Sequence, residues 1–112
     1  MRSNVAMKAL KVIVLFCLTL AVGALGSRLI THKVLHEDLA RKTCIANLHW
    51  IAEAKREEAR EMQLRDGASV STDTLARYIE FGWPTCPAGG KYTANPIGKD
   101  PTCTVPGHYI AP

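Results

Sequence analysis

The spacing of hydrophobic positions along the 112-residue chain changes twice. Val12 to Ser27 (VIVLFCLTLAVGALGS) is an unbroken apolar run without charge, bounded by Lys11 and Arg28. From Leu29 to Arg65 the apolar residues Ile30, Val34, Leu35, Leu39, Ile45, Leu48, Ile51, Ala52, Ala59 and Met62 recur mainly at three- and four-residue steps, the period of an amphipathic helix. No proline interrupts either pattern, so one helix is predicted to pass from an all-apolar stretch into a one-sided one. Asp66-Gly67 is the expected stop, because glycine tolerates the left-handed conformation common just past a helix. A short second helix is predicted over 72–81. Thr72 is its expected cap, Asp73 sits near the positive end of the dipole, and Gly82 ends it. Leu75, Tyr78, Ile79 and Phe81 of this helix would fold back on Ile51 and Met62 to make the minimal core.

From Gly82 onward the chain holds all six of its prolines and five of its eight glycines, a density no helix survives. Short extended pieces around Tyr92-Thr93, Thr102 to Val105 and Tyr109-Ile110 suit a small antiparallel sheet, with turns at Gly89-Gly90, Asn95-Pro96, Lys99-Asp100 and Pro106-Gly107. The fold class is therefore α+β: one long N-terminal helix, a short second helix packed on it, and a small irregular β tip.

The apolar run falls slightly short of the roughly 20 residues that comfortably span a bilayer. The long stems of Lys11 and Arg28 can snorkel, and Leu29-Ile30 extend the apolar surface. The expected organisation is a basic leader at 1–11, a membrane span at 12–30 and a domain at 31–112, the last divided into a long amphipathic helix at 31–66, the short helix at 72–81 and a Cys/Pro/Gly-rich tip at 82–112. Arg2, Lys8 and Lys11 followed by Ala24-Leu25-Gly26 also fit a signal peptide cleaved to leave Ser27 first. The uninterrupted helical pattern beyond Gly26 favours a retained anchor. Basic residues flank the run on both sides, so the positive-inside rule does not decide orientation. Those three leader charges account for most of the formal net charge of +4, since eleven Lys or Arg face ten Asp or Glu from Arg28 onward. The basic balance is thus a topology signal, and no nucleic-acid partner is expected.

A head this small holds together poorly by burial alone, which favours an oxidising compartment and a disulfide between Cys86 and Cys103. Such a bond closes a loop of about 18 residues and contributes about 3 kcal/mol in the chain-entropy picture. Cys44 is left free or exchanges for one of the two, and Cys17 packs as a small hydrophobe in the apolar run. The expected topology is a cytoplasmic N-terminus, a single pass of a bacterial inner membrane, and an extracytoplasmic head.

Other chemistry is sparse. No Ser-His-Asp set, paired carboxylates or phosphate loop stands at an interpretable spacing, so no catalytic residue and no cofactor are expected. His32 and His36 lie one turn apart but read as solvated juxtamembrane residues. A site made from Cys44, Cys86, Cys103 and His108 is disfavoured because the Cys-x-x-Cys pairs of structural zinc are missing, and no metal is expected. Trp50 and Trp83 are the candidate interface aromatics, with Trp83 beside Pro84 also suited to covering a small core.

Cys44-Ile45-Ala46-Asn47-Leu48, Ala54-Lys55, Tyr78-Ile79, Cys86-Pro87-Ala88-Gly89-Gly90-Lys91-Tyr92, Pro101-Thr102-Cys103 and Pro106-Gly107-His108, in that order over roughly residues 40 to 110, resemble bacterial type II secretion pseudopilins and type IV pilin-like proteins. The likeness is to a compact subgroup with this Cys-Pro-x-Gly-Gly-x-Tyr tail. It implies a lollipop-shaped, non-enzymatic subunit of a secretion or pilus-like filament, with membrane lipid and other pilin-like subunits as partners. The chain departs from the family at Leu10-Lys11-Val12, where pilin-like precursors carry a glycine before the apolar run and a glutamate shortly after it. The reading is a pilin-like head on an unprocessed anchor, a structural or accessory subunit. Two other classes compete with it: a small secreted binding module released by signal peptidase, and a redox or metal protein.

Overall fold

The structure, a computed structural model, describes residues 2–112, with Arg2 described by its backbone alone. Met1 of the expected leader lies outside the described residues. Helix α1 runs over Arg2–Glu61 without a break, and α2 over Thr72–Leu75 continues into a 3-10 turn at Ala76–Tyr78. Strands β1 (Tyr92–Thr93) and β2 (Thr102–Cys103) form a two-stranded antiparallel sheet in which Tyr92 faces Cys103 and Thr93 faces Thr102. The α+β class and the single long helix agree with the sequence pattern. The chain divides into two compact units, Met1–His36 and Glu37–Pro112.

In the first unit α1 contains one segment long and apolar enough to cross a membrane, and none of that segment is buried. Leu15, Phe16, Leu18, Leu20 and Val22 are all exposed. Two threonine hydroxyls on or just beyond this stretch bond locally: Thr19 Oγ1 donates to the Phe16 carbonyl and Thr31 Oγ1 to that of Ser27, each at 2.8 Å. Helical backbone bonds plus these back-bonds leave little to desolvate, which is what hydrocarbon requires. Cys17 is exposed on the same surface.

The second unit is built on the C-terminal half of α1. Its buried stripe is Ala40, Cys44, Asn47, Leu48, Ile51, Ala54, Lys55 and Glu58, a helical three-four spacing. This differs from the expected face: Leu39 and Met62 are exposed, and Ile45, Ala52 and Ala59 are half-buried. One core cluster joins Ile51, Ala54, Leu75, Ile79 and Ala94, with Val70, Tyr78, Trp83 and Tyr92 packed against it. The short helix therefore folds back on α1 as expected, but Phe81 and Met62 stay outside the core, Phe81 being 83% exposed. A second cluster joins Cys44, Leu48 and Cys86 to Tyr92, Cys103, Val105 and Ile110.

Three boundaries move. Helix α1 ends at Glu61 rather than at Asp66-Gly67: just past it Gln63 takes the left-handed conformation (φ 53°), and the Leu64 N–H reaches back to the Ala59 carbonyl at 2.9 Å, closing the helix in a Schellman-type cap. Glu61, in the last turn, accepts the Tyr78 hydroxyl at 2.6 Å. On the exposed face Glu53 pairs with Arg56 and Glu57 with Arg60, contacts that contribute little. The second helix is capped by Ser71, whose Oγ accepts the Asp73 N–H at 3.2 Å, one residue before the expected Thr72. Residues Tyr109-Ile110 do not join the sheet, and Ile110 packs on the second core cluster.

Candidate functional site

The second core cluster is where the chemistry gathers. Cys44 comes from the buried stripe of α1, Cys86 from the loop before the Gly89-Gly90 turn, Cys103 from β2, and His108 from the C-terminal turn closed by its own N–H to the Val105 carbonyl. The three sulfurs and a ring nitrogen of His108 all lie within 4.8 Å of one another. Cys44, Cys86 and His108 are buried and Cys103 is half-buried. His108 Nδ1 faces Cys86 Sγ at 3.9 Å.

All four cysteines are free thiols, and the expected Cys86–Cys103 disulfide is absent. The reason is geometric. A disulfide needs two sulfurs about 2.05 Å apart, whereas here a third sulfur and an imidazole converge on the same point and the sulfurs stand off at non-bonded distance. The sequence-based expectation of no metal site rested on the missing Cys-x-x-Cys pairs. The four donors come together instead from separate segments of the chain.

The sulfurs are surrounded by donors. Burial alone raises the Cys86 thiol, but the backbone N–H groups of Ala88 and Gly90, together with Cys44 and His108, bring it down to about 6. Burial pushes the Cys44 thiol up to about 12, against the opposing pull of the Tyr92 hydroxyl beside it. That hydroxyl is itself held by Asn47, whose Nδ2 reaches both Tyr92 Oη and the Thr85 carbonyl at 3.1 Å. Burial and the contact with Cys44 hold the Tyr92 phenol above its ordinary range, so it keeps its proton to donate.

Gly90 sets the packing of the turn against this cluster. A Cβ at this position would stand 2.6 Å from Val105 Cγ2 and 2.7 Å from Cys103 Sγ, closer than side chains tolerate. Replacing Gly90 with Ala is therefore expected to destabilise the second unit by about 1–3 kcal/mol, as overpacking does, and to raise the reactivity of Cys103 toward a thiol probe. Urea unfolding and maleimide labelling of Gly90→Ala check this.

A second buried constellation was not expected from the sequence. Lys55 is 4% exposed, and its ammonium donates to the carbonyls of Ala94 at 2.7 Å, Pro96 at 2.9 Å and Lys99. Burial lowers its pKa, with Asp100 pulling the other way. Three donors on one nitrogen match three acceptors from one loop, so the lysine ties the 94–99 segment to α1. The sign that marks Lys55 and Asn47 is their place on the 44-47-48-51-54-55-58 stripe: a polar residue in register with a buried face needs a buried partner. Glu58 lies on this stripe too, and its Oε2 has no hydrogen-bond partner among the described residues.

Of the other candidate positions, Trp50 is half exposed and lines a groove of about 260 Å³ with Glu53, Tyr78, Ile79, Glu80 and Phe81. Trp83 packs against the first core cluster. Lys11 and Arg28 flank the apolar segment of α1 as the sequence places them. Compared with protein-family profiles, curated proteins and solved structures, the chain matches none.

Proposed function

We propose that this chain is a membrane-anchored, non-catalytic structural or accessory subunit of a pilin-like or type II secretion assembly. The observation that carries the reading is α1 itself: the helix whose buried stripe supplies the core of residues 37–112 also contains an uncharged, fully exposed apolar segment that only lipid or another apolar surface covers. The anchor is retained, because cutting at Ser27 would leave the helix with an exposed apolar turn at Leu29-Ile30. The N-terminus is cytoplasmic and the domain lies on the far side of a bacterial inner membrane. This orientation now rests on the pilin-like resemblance, since the cysteines that favoured an oxidising compartment are unpaired.

The exposed aromatics Trp50 and Phe81 are the natural place to look for subunit contact. A photo-crosslinking residue at Trp50 in the native membrane is expected to trap further copies of the chain or pilin-like neighbours. Recovery of the protein only as an uncrosslinked species in the medium, beginning at Ser27, would replace this reading with the secreted binding module.

A further inference from the structure

We infer that Cys44, Cys86, Cys103 and His108 bind a single zinc-class divalent ion as a closed, structural site. Three features of the cluster converge. The first is the donor set: three thiols and one imidazole are among the standard four-ligand sets of structural zinc, with no position left open for a reacting water. The second is distance. A zinc–sulfur bond of about 2.3 Å puts tetrahedral ligands about 3.8 Å apart; Cys86 Sγ and His108 Nδ1 already stand at 3.9 Å, and every other pair lies within 4.8 Å. Contraction by about an ångström at most closes the four around one ion, whereas a disulfide would need two sulfurs to close to about 2.05 Å and would leave a buried third thiol behind.

The third feature is the outer layer. Tyr92, its hydroxyl held by Asn47 Nδ2 at 3.1 Å, packs directly on Cys44 and Cys86 and sets a donor beside the sulfurs. Donors aimed at sulfur compensate the negative charge a metal-bound thiolate keeps, and orient the ligand for the ion. A redox dithiol is a weaker account, because no two of these cysteines lie in one short segment. The location also suits a staple. Cys86, Cys103 and His108 sit on three separate pieces of a Pro/Gly-rich region with a single two-residue strand pair, and Cys44 is fully buried on α1. An ion joining all four would tie that region to the helix in a domain too small to rely on its core. Binding releases up to three thiol protons to solvent as the thiolates form, with no electron transfer. Soft thiolates exclude magnesium and calcium, leaving zinc as the redox-inert choice.

The test uses full-length protein purified in detergent. Elemental analysis is expected to find one zinc per chain, and cobalt exchange to give thiolate-to-metal charge-transfer bands with the d–d bands of a tetrahedral site. In zinc-loaded protein Cys44, Cys86 and Cys103 should resist maleimide until a chelator is added, while the exposed Cys17 reacts throughout. His108→Ala removes a direct ligand and is expected to weaken zinc binding by more than the roughly 100-fold that marks the upper end for loss of an outer-layer partner. Because Cys44→Ser removes a fully buried group and can fail to fold, His108→Cys serves as the second variant. It keeps four ligands, and should retain zinc while shifting the cobalt spectrum toward an all-thiolate set. A folded protein that takes up no zinc or cobalt when supplied with excess metal would overturn the inference. So would a native Cys86–Cys103 disulfide, or thiols equally reactive with and without zinc.

Discussion

Replacing Lys55 with Met is expected to destabilise the 37–112 unit by about 3–5 kcal/mol, the largest single-residue effect on stability outside the cysteine cluster. The side chain is nearly fully buried and its three donors are consumed by the carbonyls of Ala94, Pro96 and Lys99. Methionine fills much of the same space but donates nothing, so the Ala94 acceptor stays buried without a partner and the segment loses its tie to α1. An unsatisfied buried acceptor costs about 1–3 kcal/mol and a hydrogen bond to a charged donor is worth about 1.5–3. Against the 5–15 kcal/mol typical of whole domains, such a loss leaves a small unit close to unfolded at 37 °C. Urea unfolding followed by Trp83 fluorescence measures it. Lys99→Met is the matched control: the Lys99 residue is exposed and only its carbonyl is used, so its midpoint should barely move. A Lys55→Met midpoint as close to the parent's as that of the control would show that the three contacts contribute nothing net.

The second large effect concerns the apolar segment. Leu18→Arg combined with Val22→Arg places two guanidinium groups one turn apart on one face near the middle of the span. Each Arg at a helix centre costs about 2.5–3.5 kcal/mol to insert, so the pair costs about 6. Both parent residues are exposed, so the substitutions remove no buried packing. The expected result is that the double variant moves from the carbonate-resistant membrane fraction to the soluble or degraded fraction. Leu39→Arg, exposed and beyond the span, stays with the membrane. Equal membrane retention of the double variant and the parent would mean that something other than this segment holds the protein there.

The features that were legible in the sequence are those that depend on local pattern. The single long helix follows from two apolar periods without a proline between them, and the fold-back of Leu75 and Ile79 follows from a short apolar face with nothing else to cover it. What escaped depended on register or on contacts across the chain. The hydrophobic positions Leu39, Ile45, Ala52 and Met62 trace a face beside the true one, because three members of the buried stripe, Asn47, Lys55 and Glu58, are polar and do not register as core. Gln63 ended the helix four residues before the glycine that marked the expected stop, since a non-glycine residue in the left-handed region carries no compositional flag. The cysteines were misread for a related reason. A disulfide is suggested by counting thiols in a small head, but the convergence of Cys44, Cys86, Cys103 and His108 arises from four separate segments and has no short motif. The partnering of the Pro/Gly-rich region by Lys55 and by the Tyr92–Asn47 pair was equally invisible, since each contact spans 38 residues or more.

The claim on which the functional reading turns is that residues 12–27 remain attached and lie in lipid. Its most direct measurement is the N-terminal peptide map of the protein recovered from carbonate-washed membranes of the cells that make it. The account predicts peptides that run continuously across Gly26-Ser27 in the membrane pellet. Protein found only in the wash, with every copy beginning at Ser27, would contradict it.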